Sequence, residues 1–130
     1  DNTILSTHQK KLSLRHLSWV QKCKDMGFKV WILSNNSKFK RIHRVCDLVS
    51  CDGYYFACNP LTYSLSYIHD KHQLDYDKTI VVGDQVLTDV IMGKWKKCYT
   101  VLVDPIDKKL SFIKRIQREF EKWLHKKLNI

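Results

Sequence analysis

The fold of this chain is decided by one stretch of its sequence, Thr79-Ile80-Val81-Val82-Gly83-Asp84-Gln85-Val86-Leu87-Thr88-Asp89-Val90. Residues 79–82 are mostly apolar and all β-branched, which is typical of a buried strand in a parallel sheet. Gly83 permits a sharp turn, so Asp84 is predicted to lie at the carboxyl end of that strand. Open α/β sheets bind their ligands at this edge.

Asp89 follows Asp84 by five residues and falls where the next helix is predicted to begin. One interpretation is a metal site, because two carboxylates at one strand end supply the hard oxygen ligands that Mg²⁺ prefers. The other is structural, since an acidic residue in the first turn stabilises a helix through its dipole. This stretch alone does not separate the two interpretations.

On either side of this stretch, helices and strands alternate. Strands are predicted over residues 29–33, 54–57, 79–82 and 99–103, and helices over residues 9–26, 38–51, 61–72, 88–95 and 109–128. This order predicts the α/β class, with a parallel sheet and crossover helices. The ends of three strands then bring polar residues to one edge of the sheet: Ser34-Asn35-Asn36, Asn59-Pro60 and Gly83-Asp84. The first cluster suits either a phosphate site or a helix cap, and the convergence of all three favours a ligand site.

Composition narrows the class of partner. The 130 residues are predicted to form one domain, and the excess of 23 Lys and Arg over 13 Asp and Glu gives a net charge of +10. This charge favours anionic partners, namely phosphorylated substrates, nucleic acid or an acidic membrane surface. Nucleic acid is not favoured, because no aromatic–basic motif of an RNA-recognition type is present. No apolar run reaches 18 residues, so no membrane span is expected.

The number and spacing of the cysteines indicate the cellular compartment. The five cysteines are odd in number and contain no C-x-x-C pair, a spacing that fits neither a zinc site nor a disulfide framework. Free thiols and a reducing cytoplasm are therefore predicted.

The segment 109–128 is predicted to be a basic amphipathic helix. Two interpretations remain open: it docks on the sheet, or it lies on an anionic membrane surface and makes the protein peripheral to the membrane. The tryptophans are assigned to packing in the core or in this tail: Trp19, Trp31, Trp95 and Trp123.

Three ordered motifs resemble those of the haloacid-dehalogenase (HAD) superfamily, and more narrowly its subclass IIIA phosphatases of the YqeG type: Asp1-Asn2-Thr3-Ile4-Leu5, Leu33-Ser34-Asn35-Asn36 and Gly83-Asp84-Gln85 with Thr88-Asp89. The similarity extends over nearly the whole chain. It implies a three-layer Rossmannoid parallel sheet with helices on both faces and no large cap domain. It also implies Mg²⁺-dependent hydrolysis of a phosphomonoester through an aspartyl-phosphate.

The resemblance assigns roles to individual residues. Asp1 matches the family's general acid/base, which also binds the metal through its backbone. The nucleophilic Asp would precede it by two positions, so the first, central strand is expected to lie outside this chain, which alone should be inactive. Ser34 and Asn35 would grip the phosphoryl oxygens, Asp84 would hold Mg²⁺, and Asp89 would support that site.

One position departs from the family pattern. The family has a lysine immediately before the proline that follows the third strand, and Asn59 stands there in this chain. A neutral amide donates a hydrogen bond to phosphate but does not cancel its charge. A lysine from elsewhere, Lys38 or Lys71, is the alternative source of that charge.

Two functions follow from these observations. The first is an Mg²⁺-dependent phosphatase acting on a bulky phosphorylated substrate, with a phospholipid such as phosphatidylglycerophosphate on an anionic bilayer as one candidate. The second is a degenerate, non-catalytic HAD-like domain that binds nucleic acid or other anions through its basic surface. The intact Asp84 and Asp89 favour the enzyme, and Asn59 favours the binding domain.

Overall fold

The computed structural model describes residues 3–6, 11–34, 39–55, 61–107, 119–120, 122–123 and 125–127. The helices are α1 (Leu14–Asp25), α2 (Phe39–Val49), α3 (Leu61–His72) and α4 (Ile91–Trp95), with a 3-10 turn at Tyr76–Lys78 and a π-helical turn at Val86–Val90. The strands are β1 (Trp31–Ser34), β2 (Asp52–Tyr55), β3 (Ile80–Gly83) and β4 (Tyr99–Leu102). The predicted alternation of helices and strands is confirmed.

The strands form two parallel pairs. β1 pairs with β2, with Trp31 opposite Asp52, and β3 pairs with β4, with Ile80 opposite Tyr99. Among the described residues, β1 and β3 have no further strand partner. The α/β class with parallel strands is thus confirmed.

Residues 3–6 connect the two strand pairs. Thr3 contacts Asp84 beyond β3, while the backbone carbonyl of Ser6 accepts a hydrogen bond from Arg41 of α2. The Ser6 hydroxyl donates to Asp107, which follows β4, at 3.2 Å. This short segment therefore lies against the carboxyl side of both pairs.

The buried apolar side chains form two clusters. The first lies between α1, α2 and the β1–β2 pair and comprises Leu5, Leu12, Val20, Val45 and Val49. The second lies between α3, α4 and the β3–β4 pair and comprises Leu65, Met92 and Cys98. Each strand pair thus packs on its own helices, and residues 3–6 join them.

The packing assigned to the tryptophans is wrong for three of the four. Trp95 exposes 74% of its surface, Trp123 exposes 52% and Trp19 exposes 48%. Trp95 is the last residue of α4. Tyr99, the first residue of β4, is also exposed. Periodicity predicted a helix over residues 9–26, but residues 11–13 are not helical and α1 begins at Leu14, which faces solvent.

In the described part of the tail, residues 119–120, 122–123 and 125–127 are helical. Phe120 and Trp123 stack with ring centroids 5.8 Å apart, and Lys127 lies 4.7 Å from the Trp123 ring centroid. Both aromatic side chains remain half exposed, so these residues do not bury their aromatic face on the sheet. Within the described residues, no helix combines the length and apolar character needed to cross a bilayer.

Candidate active site

Asp84 lies at the carboxyl end of β3, as predicted, and is buried with only 8% of its surface exposed. The Thr3 hydroxyl donates a hydrogen bond to Asp84 Oδ1 at 2.8 Å. A carboxylate removed from water at this depth requires hydrogen bonds or a cation for its charge. Thr3 supplies one such contact and fixes the orientation of the carboxyl group.

Asp89 packs directly against the backbone of Gly83. A Cβ atom added at Gly83 would lie 2.0 Å from Asp89 Oδ2 and 2.3 Å from its carboxyl carbon. Only glycine leaves room for the carboxylate there, so Gly83 is required by this close approach. The Gly-Asp spacing of the motif thus places both carboxylates at one strand end.

The π-helical turn Val86–Val90 holds the Asp89 carboxylate through both oxygens. The backbone N–H of Gln85 donates to Asp89 Oδ2 at 3.1 Å, and the Thr88 hydroxyl lies 3.2 Å from Oδ1. The same hydroxyl lies 3.0 Å from Gln85 Oε1. Asp89 therefore stabilises the loop that follows Asp84, which is the geometry of a supporting residue.

Burial raises the pKa of Asp89, and the neighbouring Asp84 carboxylate raises it further, whereas the Gln85 N–H and the Thr88 hydroxyl lower it. The folded state therefore binds the Asp89 proton more tightly than the unfolded chain does. The stability gained from this is present at low pH and is lost as pH rises through the folded pKa.

Replacing Asp89 by asparagine should raise the free energy of unfolding at pH 7 without Mg²⁺ by about 1 kcal/mol. The amide oxygen can accept from Gln85 N–H and the amide nitrogen can donate to Thr88, while the buried charge disappears. The difference should vanish below the ordinary carboxyl pKa of 3.8, where both proteins are neutral at this position. Urea unfolding in EDTA at neutral and acid pH measures it.

Asp89→Ala is the matched control, because it removes the charge and both hydrogen bonds together. It should be less stable than the asparagine variant at either pH. If asparagine destabilises the metal-free protein as much as alanine does, charge repulsion at this site is not the dominant effect.

The other predicted site residues fall into two groups. Ser34 is the last residue of β1 and is half-buried, opposite Tyr55 of β2. Ser34 thus lies at the carboxyl end of its strand, as Asp84 lies at the carboxyl end of β3. Asp1, Asn35 and Asn59 lie outside the described residues.

Neither lysine considered as a substitute is placed at the site by the described residues. The Lys71 ammonium lies 5.1 Å from the Tyr54 ring centroid and 5.8 Å from that of Tyr67. His72, which follows Lys71, packs against Trp31, the first residue of β1, so the last turn of α3 lies near the amino end of that strand. Lys38 is outside the described residues.

The residues present fit Mg²⁺. The buried Asp84 and the half-buried Asp89 bring two carboxylates together that a cation would neutralise, and Mg²⁺ is commonly held by one or two carboxylates together with water and substrate phosphate. Within the described ranges no group of three His, Cys, Asp or Glu side chains surrounds a metal position. The third predicted ligand, the backbone of Asp1, lies outside those ranges.

Sequence reasoning gave no role to three residues that build this site: Thr3, Gln85 and Thr88. All three belong to the strings that carried the family resemblance. Their position inside those motifs was the sequence feature that could have identified them as site residues. Their contacts are visible only in the structure, because Thr3 and Asp84 are 81 residues apart in sequence.

Comparisons with known proteins indicate the family of this chain. Residues 58–105 match the Hydrolase_like family, described as HAD-hydrolase-like. The chain is 30% identical over 122 residues to the Bacillus subtilis (strain 168) protein named "Probable phosphatase YqeG", covering 94% of this chain and 70% of the relative. A crystal structure of an uncharacterized protein from Listeria monocytogenes serotype 4b has a similar fold, with a TM-score of 0.62 at 17% identity over 96% of this chain and 89% of that one. The identity to the Bacillus protein over most of both sequences shows that the chain belongs to the HAD-like hydrolases, in the YqeG family.

Proposed function

We propose that this protein is an Mg²⁺-dependent phosphatase that hydrolyses a phosphomonoester through an aspartyl-phosphate. The observation that carries the proposal is the buried Asp84 at the end of β3, held by Thr3 and adjoining the Asp89 carboxylate. The name of the Bacillus relative supports the same class of reaction. A binding domain for anions has no need of a buried carboxylate beside a second, half-buried one at this position.

The protein's own residues have distinct tasks in this proposal. Asp84 holds the cation and Asp89 fixes the loop that carries Asp84. Ser34 and Asn35 orient the phosphoryl group, and Asp1 protonates the leaving oxygen and later takes a proton from the attacking water. When bound, Mg²⁺ supplies positive charge that neutralises the phosphoryl oxygens.

The expected substrate is bulky. Between β2 and β3 the described residues form only α3 and the 3-10 turn Tyr76–Lys78, so that interval holds no inserted domain over the site. An open site admits a phosphate displayed on a large molecule.

We propose phosphatidylglycerophosphate, or another phospholipid on an anionic bilayer, as the substrate class. The net charge of +10 favours an anionic surface. The described tail presents Phe120 and Trp123 half exposed beside Lys122 and Lys127. Half-exposed aromatic rings among lysines suit the interface between lipid headgroups and acyl chains.

The full-length protein should release phosphate from p-nitrophenyl phosphate in Mg²⁺, lose this activity in EDTA and regain it when Mg²⁺ is added back. The reason is that the Asp84 and Asp89 carboxylates repel the substrate phosphate when no cation lies between them. The rate of p-nitrophenol release measures each step.

An enzyme that rejects this small substrate would still hydrolyse phosphatidylglycerophosphate in anionic vesicles. A folded, Mg²⁺-binding protein that turns over neither compound would overturn the proposal and favour the non-catalytic binding domain.

A further inference from the structure

A pair of cysteines lies at the carboxyl end of α2, away from the candidate active site. α2 begins beyond the carboxyl end of β1 and runs back along the sheet, so its last turn lies towards the opposite edge from Asp84. Cys46 is buried in that turn, and Cys51 follows it, half-buried. Neither residue takes part in the chemistry proposed above.

The helix end fixes the two cysteines against each other. The N–H of Cys51 donates to the carbonyl of Cys46 at 3.1 Å, and the N–H of Ser50 donates to the carbonyl of Asp47 at 3.3 Å. Ser50 has a φ of +50°. This pattern of bonds is the Schellman motif, in which the two residues that occupy the positions of Cys46 and Cys51 normally touch side chain to side chain.

The position of the Cys46 thiol is further restricted by β2. A Cβ atom at Gly53 would lie 2.1 Å from Cys46 Sγ, so the sulfur occupies space that only glycine leaves open. The Cys51 side chain packs against the first core cluster. The two thiols are hydrogen-bonded to each other, so the backbone and the packing hold the two sulfurs as neighbours.

Solvent reaches the pair through a shallow surface cavity lined by both cysteines together with Asp47, Ser50 and Asp52. The two carboxylates make this surface locally acidic in a chain of net charge +10. The nearby Lys24 ammonium is already bound to the carbonyls of Val49 and Ser50, at 3.0 and 2.8 Å. Two carboxylates thus face one nearby ammonium, and this excess of negative charge favours a cation over an anion.

We propose that Cys46 and Cys51 form a two-sulfur site for a soft monovalent cation of the Cu(I) type. Soft thiolate ligands select Cu(I) over hard cations such as Mg²⁺. Among the described residues no third His, Cys, Asp or Glu completes a metal site here, which disfavours the four-ligand geometry of zinc. Binding forms two Cu–S bonds and releases one proton from each thiol, with no change in oxidation state.

The test is an anaerobic titration of the full chain with Cu(I) against a competing Cu(I) chelator. One tightly bound equivalent is expected. Cys46→Ser and Cys51→Ser should each lower the affinity for Cu(I) by at least about 100-fold. The loss of a metal ligand lowers affinity at least as much as the loss of a residue that orients a ligand. Cys23→Ser and Cys98→Ser, which remove thiols elsewhere in the fold, should leave it unchanged.

A variant that misfolds would also lose Cu(I) binding, so a second measurement uses the wild-type protein. Bound Cu(I) should protect Cys46 and Cys51 from alkylation, mapped by mass spectrometry, and should not protect Cys23. No tight equivalent, equal protection of all thiols, or full retention in the Cys46 or Cys51 variant would each overturn the proposal. Phosphatase activity enters none of these readouts, so the two proposals fail independently.

Discussion

Replacing Asp84 by asparagine should lower kcat/KM of the full-length protein for phosphate esters by about 10³-fold or more. Asparagine keeps the size of the side chain and still accepts the Thr3 hydrogen bond seen at 2.8 Å, so the fold should survive. What disappears is the negative charge that attracts the cation to the end of β3. A metal ion supplies several kcal/mol of transition-state charge stabilisation, and each 1.36 kcal/mol corresponds to about tenfold in rate.

The matched control is Asp25→Asn, which removes the same charge from an exposed position at the end of α1. It should retain wild-type turnover and wild-type stabilisation by Mg²⁺. Thermal unfolding with and without Mg²⁺ adds a readout independent of catalysis: the wild type should gain stability from the ion, and Asp84→Asn should not. Turnover within tenfold of wild type in Asp84→Asn would remove Asp84 from the metal site.

The position of Asp84 was predictable because it depends on local signals. A run of β-branched residues ending in glycine defines both the strand and its end, and parallel topology then makes that end the ligand-binding edge. The same reasoning placed Ser34 at the end of β1 correctly. The bounds of α3 were also correct, Leu61 to His72.

Contacts between distant segments were not predictable. The hydrogen bond of Thr3 to Asp84 depends on how residues 3–6 cross between the two strand pairs, which no periodicity encodes. The sequence predicts an ordinary helix over residues 88–95, whereas the structure has a π-helical turn at Val86–Val90 before α4, and the sequence pattern does not distinguish the two kinds of helix. The 74% exposure of Trp95 shows that aromatic residues identify apolar character but not burial.

The Schellman motif at the end of α2 is a third feature that could not be predicted from the sequence. The sequence alone gave five cysteines without a zinc or disulfide spacing, and free thiols were the correct prediction for the four described ones. The juxtaposition of Cys46 with Cys51 depends on Ser50 adopting a positive φ, a conformation that serine rarely takes. Glycine at that position would have signalled the motif.

The second large effect on turnover is expected at position 59, where this chain has asparagine in place of the lysine of the family pattern. Asn59→Lys restores the residue that the family pattern places before Pro60, and kcat should rise by about 10²-fold, the lower end of what one transition-state charge contact is worth. A lysine ammonium cancels phosphoryl charge that a neutral amide leaves uncompensated. Asn59→Gln is the control that lengthens the side chain without adding charge, and it should leave kcat unchanged.

This gain discriminates between two explanations of how the protein works without the family lysine. If no other cation serves the phosphate, Asn59→Lys accelerates turnover, and Lys71→Met changes little because that ammonium lies over Tyr54 and Tyr67. If another lysine already fills the role, Asn59→Lys gives no gain and Lys38→Met or Lys71→Met costs activity. Steady-state kinetics of the three variants distinguishes the two explanations. If no other cation contacts the phosphate, kcat rises in Asn59→Lys and is unchanged in the lysine variants. If another lysine does so, kcat is unchanged in Asn59→Lys and falls in the variant that lacks that lysine.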